Sequence, residues 1–579
     1  MLLKIKVSRA LLFHWSSSLL LALQLILGGL QLFDALGLVY YPIDRGALAT
    51  MSFDLGLSLT TPLIILLSLW VGWVIWSRHF KALVVPVAAL GFYPFLNFEA
   101  VISIGSLLAA VGGLWVHRDL GKFLAVVFGL LSGIEASALI HWVFFFPLGL
   151  ANPFQWFALV EMGLFYLAAH LAPFLALTMM FLWIFKLLAI WRGRERGENR
   201  GFEVTDGKKI SKKAILLLSA SVLLGVTAAV FPHLPSVNPH NRNVGVDFPD
   251  YVKDAEIVES DVSRAFNVSG GSRPLIYIFI YGFQKLFRLS AIDAVKYIPV
   301  ILNPLFVFSI YFLSMEIFND NWIASWSAFF TACGIQVSVG MFSYFLANML
   351  ALSIVSLSLG LLFRAIRLKC HVCLLFASAT GCLMVFTHPW TFDQYYASAL
   401  VMAGLVLYKA RMNGGDYKNS IMIILYLASI GLAEVLKIKI FHGLGALSAS
   451  SVVVFRIPGL VKLIQTNILI FRLFYGGLMP AFILLGFAII GFYFLGWQSV
   501  PEIYFTVFMV VTSITFFIGD VITMNRLIYN IPMGLFAAHG FIWLMKHKMI
   551  NHFKNHFMLF IIIYMVVYLF RSLSNIAYF

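Results

Sequence analysis

RGRERGENRGFEVTDGKKISKK, residues 192–213, runs directly into AILLLSASVLLGVTAAVF, residues 214–231. The first stretch carries eight Lys/Arg and almost no apolar side chains, whereas the second carries no charge. A helix that is apolar all round has no face to offer water, so the second stretch reads as a membrane span. Lys and Arg accumulate in loops on the cytoplasmic side, so the first reads as a cytoplasmic linker. Similar apolar runs recur along all 579 residues, 61% of which are hydrophobic and 11% charged, with a mean hydropathy of +0.94. A typical soluble domain is about 25% charged. Too few polar side chains remain to cover soluble domains. The net charge of +15 lies in short segments between spans, a pattern that reports orientation and gives no reason to expect nucleic acid.

The expected fold is all-α and polytopic, with about 17 spans in two blocks. The first block, residues 1–191, holds runs at 10–33, 58–77, 82–96, 101–116, 123–148 and 155–191. The last of these is long enough for a tilted helix broken at Pro173, or for a span plus an interfacial piece. After the linker, residues 214–579 hold runs at 214–231, 294–317, 322–335, 341–363, 370–386, 394–408, 421–436, 476–495, 503–518, 527–545 and 557–570. Lys4, Lys6 and Arg9 precede a first run longer than a signal-peptide core and without a cleavage site, so it is expected to stay as a span. With the linker cytoplasmic, counting puts 364–369, 409–418 and 546–556 on the same side, and each carries three Lys/Arg. The N-terminus falls there too. The predicted location is the cell membrane, with residues 232–293 as an external loop.

That loop holds Asp247, Asp250 and Asp254, which share a face if the segment is helical. Asp247 suits an N-cap, followed by Pro249 and by Asp250 at the positive helix end. A carboxylate here equally suits a general base or a divalent-metal ligand. These readings are compatible. Farther along, residues 274–288 form an amphipathic segment suited to a helix lying at the interface.

The acidic GVDFPDYVKDA (245–255), the following SRPLIYIFIYGFQKLFRLS and the later MFSYFLANMLALSIVSLSLGLLFRAI together resemble the GT-C superfamily of integral-membrane glycosyltransferases. The resemblance covers roughly residues 214–579 and is one of layout with short motifs. It implies a polyprenyl-phosphate sugar donor and an essential acid in the first external loop, with Asp247 the first candidate and Asp250 the second. The pair is D-x-x-D, where adjacent or D-x-D pairs are common in the superfamily, and the block before residue 192 has no counterpart there. A divalent cation, Mg or Mn, is the cofactor that Asp247 and Asp250 would hold. Arg526 stands where these enzymes often carry a late basic residue, and is expected to contact the phosphate.

Lys437, Lys439, Arg456, Lys462 and Arg472 depart from the positive-inside bias. They suit a phosphate, with headgroup contact and snorkelling as the plain alternative. His388 and Trp390, in THPWTFDQYY, suit a sugar pocket or an ordinary interfacial belt. Glu135, His141, Glu161 and His170 lie in apolar runs and suit either ion coupling or hydrogen bonds between helices. Cys370 and Cys373 match C-x-x-C without a second ligand pair, and all four cysteines are expected to pack as small hydrophobes. Asn267–Ser269 forms an N-x-S triplet, frequent by chance. There is no P-loop, G-x-S-x-G or H-E-x-x-H motif.

The expected activity is sugar transfer at the external face. Asp247 and Asp250 would be catalytic, while Arg526, Arg456, His388, Trp390 and Lys437 would bind substrate. The acceptor would be a lipid, a glycan or a protein. The rival classes are a transporter or flippase for a lipid-linked or anionic substrate, and a non-catalytic partner in envelope assembly.

Overall fold

In the computed structural model the described residues are chiefly 103–110, 120–148, 211–412, 417–441, 482–513, 521–547 and 553–576, with isolated positions besides. They are helical, with no strand among them. Seven helices among them are long and apolar enough to cross a membrane. Most of the first predicted block, the linker, and Arg456 and Arg472 lie outside the described residues.

The chain forms two compact units: Met1–Leu171 with Leu544–Tyr568, and Ala172–Trp543 with Leu569–Phe579. In the first, α1 (Leu120–Ile140) runs on through a π-helical turn, His141–Phe145. There Phe128 packs on Phe553, Phe557 and Phe560 at 4.8–5.5 Å between ring centroids.

The second unit opens with α2 (Lys212–Val230), whose N-cap Ser211 accepts the Ala214 N–H. The loop then carries α3 (Phe248–Ser260) and α4 (Pro274–Phe287). Next come α5 (Ala291–Tyr297), α6 (Pro299–Phe318), α7 (Asn321–Ala332), α8 (Ile335–Ser343) and α9 (Leu346–Leu368). The described helices continue with α10 (His371–Met384), α11 (Pro389–Met412), α12 (Lys418–Phe441), α13 (Phe482–Tyr493) and α14 (Val500–Ser513). α15 (Val521–Tyr529) and α16 (Met533–Met545) follow, and α17 (Lys554–Ile576) belongs to the first unit as far as Tyr568 and to the second beyond it.

Two predicted spans are corrected by backbone breaks. The run 341–363 is divided at Tyr344, which is left-handed (φ 61°), so α8 ends the preceding span and α9 begins at Leu346. The run 527–545 is two helices, because Pro532 has no N–H to continue the ladder beyond Asn530. Aromaticity and hydropathy run through both breaks, which is why apolar length alone missed them.

Small residues set the closest crossings. A Cβ on Gly491 or Gly540 would fall against the Phe536 or Phe487 carbonyl, so α13 and α16 touch backbone to backbone. Trp326, Phe330, Phe487 and Phe541 fill the space beside that crossing.

Contacts at the helix ends sort the loops. At one end Arg367 bonds Asn319 and Glu316, Lys369 bonds Asn419, and Lys409 bonds the Gln498 carbonyl. The basic turns at 364–369 and 409–418, placed together by charge, thus share an end. At the other end, residues 232–293 bond Phe342 and Ser343 of α8 and Phe386 in the turn after α10, and Lys437 bridges Ser272 to Val385.

Candidate functional site

Asp247 is placed by backbone. Gly245 has φ +97°, and a Cβ there would strike the Tyr344 ring, so the chain passes tightly over that aromatic face. Val246 and Asp247 then donate their N–H groups to the carbonyls of Phe342 and Ser343 at 3.0 and 3.2 Å. Tyr344 is itself fixed, donating to the Val295 carbonyl at 2.7 Å. Asp247 does occupy the N-cap position of α3, with Pro249 in the first turn, but its carboxylate makes no capping hydrogen bond. The carboxylate is left for the site.

Arg273 was not among the residues singled out from the sequence. Ser269, Gly270 and Gly271, all at positive φ, turn the chain back toward α3 and deliver it. Its guanidinium lies 5.1 Å from the Tyr251 ring centroid, a cation–π contact. Nη1 and Nη2 reach the Tyr251 hydroxyl and Ser269 Oγ, each at 3.4 Å, while the buried Nε has no hydrogen-bond partner. Below it, Asp254 accepts from Tyr277 at 2.5 Å and from Ser269 at 2.7 Å. Tyr251 in turn accepts the Ala347 N–H, tying α3 to the start of α9. The positive-inside argument applied to Lys437 and Arg456 would have found Arg273, since it too is a cation in the predicted external loop.

Arg526 sits in the last turn of α15. Gln336 of α8 donates to the Tyr529 and Ile531 carbonyls at 3.2 and 2.6 Å, and Tyr529 donates back to the Gln336 carbonyl at 2.6 Å. From α11, Tyr395 donates to the Asn530 carbonyl, and Gln394 accepts from Asn530 and donates to the Leu527 carbonyl. These bonds fix α15 against two neighbours within this unit.

The electrostatics join the pieces. Asp247 has its pKa raised, first by burial, while the positive charges of Arg273 and Arg526 pull it down and Asp250 raises it further. The same two arginines act on Tyr251, whose pKa burial raises, and on His388, whose pKa burial lowers. An acid and two guanidiniums from three separate segments therefore lie within electrostatic reach of one another. Asn348 Nδ2 and the Thr391 N–H approach His388 Nδ1 at 3.3 and 3.4 Å. Both have only hydrogens to offer, so Nδ1 accepts and the neutral ring carries its proton on Nε2.

The other predicted residues are distributed unevenly. Asp250 is exposed in the first turn of α3. Trp390 is half-buried at the start of α11. Lys437 is buried, and its ammonium donates to the carbonyls of Val385 and Ser272 at 2.8 and 3.2 Å. It serves as a tether between the loop and the turn before α11, and is not directed to a ligand as its sequence role required. For a divalent cation, Asp247 and Asp250 would have to supply the protein oxygens. No group of three His, Cys, Asp or Glu suited to a metal occurs among the described residues. The positive charges acting on Asp247 are two guanidiniums, which oppose a further positive charge, so this donor set fits an anion better than Mg or Mn. Compared with protein-family models and with curated proteins, the chain matches none.

Proposed function

We propose that this chain is a membrane glycosyltransferase that moves a sugar from a polyprenyl-phosphate donor to an acceptor at the membrane face bearing residues 232–293. The observation that carries the reading is that the charges of Arg273 and Arg526 act on both Asp247 and His388. Asp247 takes the proton of the acceptor hydroxyl as its oxygen attacks the anomeric carbon, and the bond to the lipid phosphate breaks. Arg526 and Arg273 hold the departing phosphate by charge-assisted hydrogen bonds. The Nε2–H of His388 donates to a sugar or phosphate oxygen, and Trp390 offers an aromatic face to the sugar. Phosphate leaves readily, so the reaction needs no nucleotide-binding domain. Apolar helices that suit a bilayer also suit a donor with a long hydrocarbon tail.

The test is transfer by purified protein from radiolabelled polyprenyl-phosphate sugars to extracted acceptors. Loss of transfer in Asp247→Asn, with unchanged folding, supports the proposal, whereas wild-type protein without transfer from any such donor overturns it.

A second reading is carriage of a lipid-linked or anionic substrate. Its support is Glu135, fully buried in an apolar helix and followed by the π-helical turn His141–Phe145. Proton-coupled uptake dependent on Glu135, with no sugar transfer, would select it.

A further inference from the structure

Cys370 and Cys373 are not packed as the sequence suggested. Cys333 is fully buried, and Cys382 donates to the Ser429 carbonyl at 3.4 Å, so those two behave as helix-core thiols. By contrast Cys370 and Cys373 are both half-exposed at the first turn of α10, and His371 and Val372 between them are exposed. Lys369, left-handed at φ 52°, ends α9 and turns the chain so that Cys370 becomes the N-cap residue of α10. Cys370 Sγ accepts the Cys373 N–H at 3.2 Å, which holds the two cysteines of the first turn against each other. The Cα atoms of positions i and i+3 at a helical turn stand about 5 Å apart, within the roughly 4.4–6.8 Å that a disulfide spans between Cα atoms. Arg364 acts on both sulfurs, and Lys369 adjoins them.

We propose that Cys370 and Cys373 form a redox-active dithiol that closes to a disulfide by exchange with an anionic low-molecular-weight disulfide. The Cys370 thiolate attacks one sulfur of that disulfide, forming a mixed disulfide and expelling one small thiolate. Cys373, as thiolate, attacks the Cys370 sulfur and expels the second. Two protein thiols are oxidised, one small disulfide is reduced to two thiols, and the protons go to those thiols. Cys370 is the attacking sulfur because its negative charge faces the N–H groups of the first turn of α10. Arg364 and Lys369 favour a carboxylate-bearing reagent such as oxidised glutathione. This pair lies at the opposite end of the unit from Asp247, and the inference stands whether or not the chain transfers sugar.

The experiment treats full-length protein, in detergent, with oxidised glutathione, then quenches in acid and labels the remaining thiols with a maleimide polymer for a gel shift. Peptide mass spectrometry locates the loss. Expected is the joint loss of two labelled thiols, a peptide lighter by two hydrogens spanning Cys370–Cys373, and full recovery with dithiothreitol. Cys370→Ser and Cys373→Ser each abolish the internal bridge. Continued labelling of both sulfurs, or a separate glutathione on each in the wild-type protein, overturns the proposal.

Discussion

Half-burial makes Asp247 hold its proton to higher pH than a solvated aspartate, and two guanidiniums only partly offset that. A base must be deprotonated to act, so transfer should fall as pH drops through this raised pKa. Arg273 lowers that pKa, so Arg273→Gln should move the acid limb of the pH–rate profile toward higher pH; an unmoved limb would separate the two residues. Stability has the opposite sign. A carboxyl whose folded pKa is raised makes its charged form a cost to folding, present above the folded pKa and relieved as pH falls through it. Asp247→Asn should therefore melt no lower than wild type near neutral pH while transfer drops by about 10²–10⁴-fold, the range for a lost general base. A lowered melting temperature would instead make Asp247 a structural cap. The sequence displayed Asp247 by its place in an acidic loop, and charge could have marked Arg273 as an external cation, but its nearness to Asp247 depends on three positive-φ residues that fold the loop back on itself.

Helix ends, more than helix centres, decide where the functional side chains stand. α15 is nine residues long, too short to fix Arg526 unaided. Its register comes from Gln336, which is buried and donates to both the Tyr529 and Ile531 carbonyls. Gln336→Leu should cost about 1–3 kcal/mol, since the Tyr529 and Ile531 carbonyls each lose the amide donor, Ile531 keeping the Met533 N–H. It should also weaken donor binding, seen as a higher KM, if Arg526 reads the phosphate. At the α13–α16 crossing, a methyl group at Gly540 meets backbone, which cannot rotate away. Gly540→Ala should lower stability by about 1–3 kcal/mol, measured by thermal unfolding in detergent, and a neutral result would mean that the helices separate freely. The apolar pattern made these helices legible as helices. The breaks at Tyr344 and Pro532 were obscured because apolar residues continue on both sides, and the glycine crossing requires knowing which helices are neighbours.

At the scale of the molecule, charge predicted the pairing of loops better than hydropathy predicted helix ends. Lys369 reaches Asn419, so two basic turns assigned to one side by counting do lie together. Residues 342–343 and 385–386 meet the acidic loop at the other end. Such pairing is legible because each span must carry the chain from one face to the other, whatever its exact bounds. The resemblance assigned Asp247, Arg526 and His388 to one site, but the part of Arg273 in it was not legible, since that depends on how residues 269–271 turn the loop. We propose, from the Lys/Arg excess at 364–369 and 409–418, that this end faces the cytoplasm, and single-cysteine labelling tests it. In a cysteine-free background, Glu259→Cys, on exposed α3, should react with an impermeant maleimide added to intact cells. Met412→Cys, exposed at the end of α11, should react only after the membrane is opened. The reverse pattern would invert the chain and put Asp247 on the cytoplasmic face, where the proposed transfer would have to draw on a cytoplasmic pool of donor. Labelling of both positions from the same side would break the alternation of spans itself.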